Sequence, residues 1–262
     1  MPDQIGASKG RTGSYVSAVL IVLTLCFAGW SDARAADQKV FVLCYHSFLG
    51  NKPFPSDLPL EEFHSQMILL RSKGFRFVSY SDLLKGTVTG TRNILVVIDD
   101  GNRSLLEAYR QSMKPLGIKP LLAIYPNIIG KKSYALTWEE LKELVRDGCD
   151  IAAHGYYHML MNQKFYDKDK AEFIHEITGS KALLEKNLGI KISAFVYPNG
   201  VRSDITKKTL KDSGYAYAFT INWGTVLSPL NLNKDPLELP RYMVLKNNWG
   251  MISSSIIKAA AK

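Results

Sequence analysis

The stretch Asn93-Ile-Leu-Val-Val-Ile98-Asp99-Asp100-Gly101 holds five consecutive apolar residues, then two carboxylates and a glycine. An uninterrupted apolar run of this length is typical of a parallel strand that is buried on both faces. Apolar residues at helical spacing follow the glycine, namely Leu105, Leu106 and Tyr109. The stretch therefore predicts a buried strand that ends in a pair of carboxylates and leads into a helix.

The same strand-then-helix order recurs on both sides of this stretch. Further strands are predicted at Val40–Tyr45, Phe75–Val78, Pro120–Tyr125, Asp150–Ala153, Ile192–Tyr197, Tyr215–Thr220 and Arg241–Val244, with helical patterns between most of them. Repetition of this order predicts parallel strands with helices outside, so we expect an α/β barrel or a distorted relative of one. An open doubly wound sheet is the alternative, but no Gly-x-Gly-x-x-Gly follows the first strand.

Composition excludes several classes of protein. The chain has 262 residues, of which 46% are hydrophobic and 22% charged, so it is neither disordered nor collagen-like. Three cysteines are too few for a disulfide scaffold, and we expect Cys44 and Cys149 to be buried thiols rather than a bridge. The net charge of +9 is scattered along the chain without a nucleic-acid-binding motif, which argues against a nucleic-acid partner.

The N-terminus has the features of a secretory signal peptide. Lys9 and Arg11 precede an apolar run from Tyr15 to Trp30, and Ala33-Arg34-Ala35 matches a cleavage site. The alternative is an uncleaved membrane anchor, for which the run is somewhat short. We therefore expect residues 1–35 to be a signal peptide and residues 36–262 to form one exported domain without a stable transmembrane anchor, in the periplasm, at the cell surface or secreted.

The polar residues at the predicted strand ends are the candidates for chemistry, because functional side chains gather there in α/β barrels. Asp99 and Asp100 could cap the following helix, but two carboxylates at a buried strand end also suit a cation. His154-x-x-x-His158 could be a pair of exposed histidines; on a helical turn, this spacing would aim two imidazoles at one point. Together with one aspartate they predict a site for one divalent ion, with zinc favoured over cobalt or nickel.

The sequence lacks the motifs of several other hydrolytic and nucleotide-dependent enzymes. The sequence contains no Gly-x-Ser-x-Gly, no Walker loop and no Cys-x-x-Cys. A glycosidase carboxylate pair stays open, although Asp99 and Asp100 are badly spaced for one.

An apolar strand ending in Asp99-Asp100-Gly101, a later histidine pair and a Pro-containing turn together resemble the polysaccharide deacetylases of the NodB-homology class, carbohydrate esterase family 4. The resemblance covers roughly residues 40–244. Tyr45-His46, Phe63-His-Ser-Gln-Met67 and Tyr197-Pro-Asn-Gly200 are similar to the branch that acts on poly-β-1,6-N-acetyl-D-glucosamine of biofilm matrices. The resemblance implies a distorted (β/α)7-type barrel, the NodB-homology deacetylase fold.

The resemblance also implies roles for individual residues. Asp99 would be the general base, and the metal ligands would be Asp100, His154 and His158. The backbone N–H of Asn199, in the turn with Tyr197 and Pro198, would bind the oxyanion of the reacting acetyl group.

Several positions depart from the usual family pattern. Val196 stands where the family has an arginine that holds the base, and Arg241 is the expected substitute. The C-terminal Leu-x-x-His that supplies the general acid is missing, so His46 is the candidate acid. Gly155 also replaces a usual hydroxyl residue, and Asn102 stands where an aromatic is common; such changes would alter the sugar-binding face.

The resemblance implies hydrolysis of N-acetyl groups on a cell-envelope or matrix polysaccharide. Chitin oligomers, peptidoglycan and acetylated xylan are alternative substrates. A sugar-binding envelope protein without turnover is the alternative from another class, and the presence of Asp99 argues against it because binding alone needs no base.

Overall fold

The computed structural model describes residues 38–261, so the signal peptide expected at residues 1–35 lies outside the described residues. The strands are β1 (Lys39–Tyr45), β2 (Arg76–Phe77), β3 (Asn93–Asp100), β4 (Leu121–Ile124), β5 (Asp150–Ala153), β6 (Ala194–Val196), β7 (Tyr217–Phe219), β8 (Val226–Leu227) and β9 (Tyr242–Met243). The helices are α1 (Leu60–Ser72), α2 (Tyr80–Lys85), α3 (Ser104–Ala108), α4 (Trp138–Arg146), α5 (Gln163–Lys168), α6 (Lys170–Leu188), α7 (Asp204–Asp212) and α8 (Trp249–Ala260). No helix within residues 38–261 combines the length and the apolar character needed to cross a membrane.

The strands form one sheet whose main path runs β7-β6-β5-β4-β3-β1-β8, with β2 paired to β3 and β9 paired to β1. Every pairing among these strands is parallel except that of β1 with β8. The helices that connect the parallel strands explain this arrangement, because a parallel pair requires a crossover. The predicted parallel α/β architecture is confirmed.

One short segment joins the two sides of this sheet into a distorted barrel. The Leu239 N–H donates to the carbonyl of Ala218 in β7, and the Thr220 N–H donates to the Leu239 carbonyl. A few residues later, Tyr242 in β9 pairs with Leu43 in β1. The segment from Leu239 to Val244 therefore contacts strands that are far apart along the sheet path, and Arg241 lies in its middle.

Alternate residues of each strand face the two sides of the sheet. Val40, Val42, Leu95 and Val97 belong to a buried cluster inside the barrel, together with Ala152. The intervening residues pack against the helices in the larger core. Because the alternation has a period of two, the side chains of Cys44, Asp99 and His154 continue the inner face at the carboxyl ends of their strands.

The two described cysteines are free and buried. Cys44 lies in β1 at 0% exposure, and Cys149 precedes β5 at 4% exposure. The expectation of buried thiols is confirmed.

Candidate metal centre and active site

A cavity of about 710 Å³ opens at the carboxyl ends of β1, β3 and β5. The candidate residues that line it are His46, Asp99, Asp100, His154, His158, Asn199 and Arg241. Phe54, Tyr125 and Tyr134 contribute aromatic surface to the same cavity. The strand ends therefore bring together residues that the sequence places almost 200 positions apart.

Asp99 and Arg241 form a buried, two-pronged ion pair. Arg241 Nη1 donates to Asp99 Oδ1 at 2.8 Å, and Nη2 donates to Oδ2 at 3.1 Å. Arg241 Nε donates to the Thr220 carbonyl at 2.8 Å, which fixes the plane of the guanidinium. Burial alone would raise the pKa of Asp99, but the Arg241 guanidinium, together with His154 and His46, outweighs burial and holds that pKa well below its usual range. Asp99 is therefore an oriented, ionised carboxylate inside the protein.

Asp100, His154 and His158 converge on one point beside Asp99. Asp100 Oδ1 lies 3.6 Å from Nε2 of each histidine, and the two Nε2 atoms are 3.1 Å apart. Asp100 has a φ of +77°, which turns its side chain away from the strand alternation and toward the histidines. Three such atoms within one small space are a donor set that a divalent ion can bind.

Two further observations test whether this triad fits a metal ion. Among the described residues, Asp100 Oδ1 is buried without a hydrogen-bond partner. His154 Nδ1 lies 2.8 Å from the Val196 carbonyl, which can only accept, so Nδ1 carries the proton and Nε2 is the free nitrogen. Burial lowers the pKa of His154 to about 4, which keeps the imidazole neutral. An unpaired carboxylate oxygen and a neutral imidazole nitrogen aimed at each other fit a bound cation.

The alternative that Asp99 or Asp100 caps the following helix is wrong. α3 begins at Ser104, and the Asn102 side chain accepts from the Ser104 N–H at 2.9 Å. Gly101 and Asn102 thus separate the carboxylates from the helix, and both carboxylates face the cavity instead.

The expectation of a helical turn at the histidine pair is also wrong. Residues 154–159, which we call the histidine loop, contain no helix. Gly155 has a φ of +77° and His158 a φ of +66°, both in the left-handed region. The imidazoles still meet, because these two residues reverse the chain and bring His158 back over His154.

Sequence analysis missed the residue beneath this loop, Glu176 on α6. Its carboxylate accepts from the backbone N–H groups of Tyr156, Tyr157 and Met159. The signal was present in the sequence: Glu176 lies three residues after Phe173 and next to Ile177, on the buried stripe of α6. A glutamate on an apolar helical face requires a partner, and here the partner is the loop.

His46 also lies close to Asp99. One ring nitrogen of His46, the Cys44 sulfur and one Asp99 oxygen lie within 4.8 Å of one another. Among the described residues, His46 Nδ1 is buried without a hydrogen-bond partner. Cys44 Sγ donates to Asp99 Oδ2 at 3.3 Å, and burial raises the pKa of this thiol, which therefore stays protonated.

The Tyr197–Gly200 turn brings one of its three candidate residues into the cavity. Asn199 has a φ of 53° and lines the cavity. Pro198 and Tyr197 are buried and are not among the lining residues. The Tyr197 hydroxyl donates to the Leu237 carbonyl at 2.8 Å, and this hydrogen bond links the turn to the segment that contains Leu237.

Comparison with known proteins identifies relatives of this chain. A family model described as polysaccharide deacetylase matches residues 86–218. The Bacillus subtilis (strain 168) protein YxkH, whose name describes a polysaccharide deacetylase, is 24% identical over 190 residues. That alignment covers 71% of this chain and 66% of YxkH, slightly less than two thirds of the relative's length.

Two solved structures share the fold. The structure of IcaB from Ammonifex degensii matches with a TM-score of 0.72 and 25% identity, over 84% of this chain and 97% of that chain. The Streptococcus pyogenes deacetylase PplD, solved in complex with acetate, matches with a TM-score of 0.71 and 21% identity, over 84% and 99% of the two chains. These matches confirm the distorted α/β barrel expected from the sequence.

Proposed function

Because the chain belongs to the polysaccharide deacetylase family, we propose that it hydrolyses the N-acetyl groups of a polysaccharide that contains N-acetylglucosamine. The observation that carries this proposal is the position of the Asp100–His154–His158 triad beside Asp99 at the base of an open cavity. A carboxylate held ionised by Arg241 next to a metal-ligating triad suits acyl transfer to water.

In this proposal, Asp100, His154 and His158 hold one divalent ion, and zinc suits two imidazole nitrogens and one carboxylate. The bound ion would supply Lewis-acid polarisation of the acetyl carbonyl and acidify water. Cobalt or nickel fits the same donor set.

The remaining steps belong to side chains and backbone of this chain. Asp99 accepts a proton from the attacking water, and Arg241 keeps the carboxylate ionised and correctly turned. The Asn199 backbone N–H is the proposed donor to the oxyanion. His46, which also lines the cavity, donates a proton to the departing nitrogen as the carbon–nitrogen bond breaks. The products are acetate and a glucosamine amine.

We propose poly-β-1,6-N-acetyl-D-glucosamine as the substrate. Support comes from Tyr45-His46, the Phe63–Met67 segment and the Tyr197–Gly200 turn, through their similarity to that branch of the family. Phe54 and Tyr134 are 63% and 52% exposed at the cavity, and they offer flat apolar surface to the faces of sugar rings. With residues 1–35 proposed as a signal peptide, the 36–262 domain would meet this polymer outside the cytoplasm.

Acetate release from defined oligomers tests the function. Zinc-loaded protein is incubated with β-1,6-linked N-acetylglucosamine oligomers, chitin oligomers, peptidoglycan fragments or acetylated xylan, and D99N serves as the inactive control. We expect the highest kcat/KM on the β-1,6 oligomers. Faster release from another substrate would reassign the polymer, and binding without acetate release from any of them would indicate a sugar-binding protein.

A further inference from the structure

The backbone of the histidine loop has an unusual conformation that must be maintained for the two imidazoles to meet. Gly155 and His158 both adopt left-handed φ values. For a residue other than glycine, this conformation costs free energy and persists only where its surroundings enforce it. The loop lies outside any helix or strand, so its N–H groups need partners from elsewhere.

Glu176 supplies those partners from a different element. Its Oε2 accepts from the Tyr156 N–H at 3.0 Å and from the Met159 N–H at 3.2 Å, while Oε1 accepts from the Tyr157 N–H at 2.8 Å. The side chain is 0% exposed. One carboxylate thus binds three amides that flank His158 on both sides, and charged acceptors make the stronger hydrogen bonds.

The fit between this carboxylate and the loop is close. A Cβ atom on Gly155 would lie only 2.5 Å from Glu176 Oε2. The loop therefore lies directly on the carboxylate, and a glycine at position 155 is needed both for its φ of +77° and for this approach.

We propose that Glu176 is the positioning residue for the metal-ligating histidine pair. Its carboxylate hydrogen-bonds to backbone amides of the loop, and through them it keeps His158 Nε2 at 3.6 Å from Asp100 Oδ1. This inference rests on the metal site of the proposed function and adds a determinant of its affinity. Groups that orient metal ligands commonly change metal affinity by about 10- to 100-fold when they are replaced.

Zinc affinity of the full chain tests this role independently of catalysis. Metal-free wild type and E176Q are titrated with zinc against a chromophoric chelator, and thermal unfolding is followed on the same metal-free samples. An amide offers one acceptor oxygen and turns an NH₂ group toward a backbone N–H, so we expect zinc Kd to rise by about 10- to 100-fold in E176Q. E172Q is the matched control, because it removes the same charge one turn earlier on α6 and leaves the three loop hydrogen bonds in place.

E176D provides a second variant if E176Q fails to fold. It keeps the charge but withdraws the carboxylate by one methylene, and we expect a smaller rise in zinc Kd than for E176Q. A lowered unfolding temperature with unchanged zinc Kd in the folded Glu176 variants would show a merely structural role and overturn the inference. Absence of zinc binding by wild type would instead overturn the metal site of the proposed function, and this inference with it.

Discussion

Arg241 Nη1 lies 2.8 Å from Asp99 Oδ1, although the two residues are 142 positions apart in the sequence. The distance is short because the segment that carries Arg241 contacts both β7 and β1 and so passes over the carboxyl end of β3. The segment that carries Arg241 therefore both closes the barrel and orients the proposed base, Asp99. A change in either residue should affect both stability and catalysis.

We expect Arg241→Met to lower the free energy of unfolding by about 3–5 kcal/mol, because it leaves Asp99 charged, buried and unpaired. Urea unfolding of the metal-free protein measures this change. The double variant D99N/R241M should recover part of the loss, since it removes the unpaired charge. Equal stability of R241M and wild type would contradict the prediction.

Substitutions at Asp99 and Asp100 should distinguish the role of the general base from that of a metal ligand. D99N is expected to retain zinc and to lose kcat by at least about 100-fold, the lower range for a general base. D100N should lose zinc first, because Asp100 Oδ1 faces both imidazole nitrogens. Elemental analysis and acetate release, measured on the same samples, check both outcomes. Near-normal activity of D99N at saturating zinc would exclude Asp99 as the base.

The stability of the metal-free protein should depend on His154 in mildly acidic solution. Burial lowers the pKa of His154 to about 4 in the folded protein, against about 6.5 for an unperturbed histidine. The unfolded chain then binds a proton that the folded chain excludes, so the free energy of unfolding falls as the pH drops from about 6.5 toward 4. One such group contributes up to about 1.4 kcal/mol per pH unit. Urea unfolding across this range should show a shallower slope in H154Q, and an identical slope would contradict the assignment.

Local patterns in the sequence were sufficient to predict every described strand except β8. The run before Asp99 became β3, and Leu105 and Leu106 lie in α3, the helix predicted after Gly101. In each case the determining contacts lie within a few residues of one another. The spacing of His154 and His158 likewise predicted that the imidazoles meet.

Local sequence patterns did not predict the backbone conformation that brings the two imidazoles together. A spacing of four residues suits a helix, and the loop forms instead because Glu176, about 20 residues later, binds its N–H groups. Arg241 was expected only through resemblance to a family, since nothing in the neighbouring sequence links it to Asp99. Both contacts depend on packing between distant elements, which periodicity does not encode.

The role of His46 can be tested by comparing two leaving groups. An amine must be protonated to depart, whereas an activated phenolate departs unaided. If His46 is the general acid, His46→Ala should depress hydrolysis of the acetamide by about 100-fold or more and that of an activated aryl acetate far less. Zinc content should stay at the wild-type level, because the proposed ligands are Asp100, His154 and His158. Equal losses on both substrates would instead assign His46 to positioning of Asp99, whose oxygen lies in the same cluster, and the acid would then have to be another cavity residue.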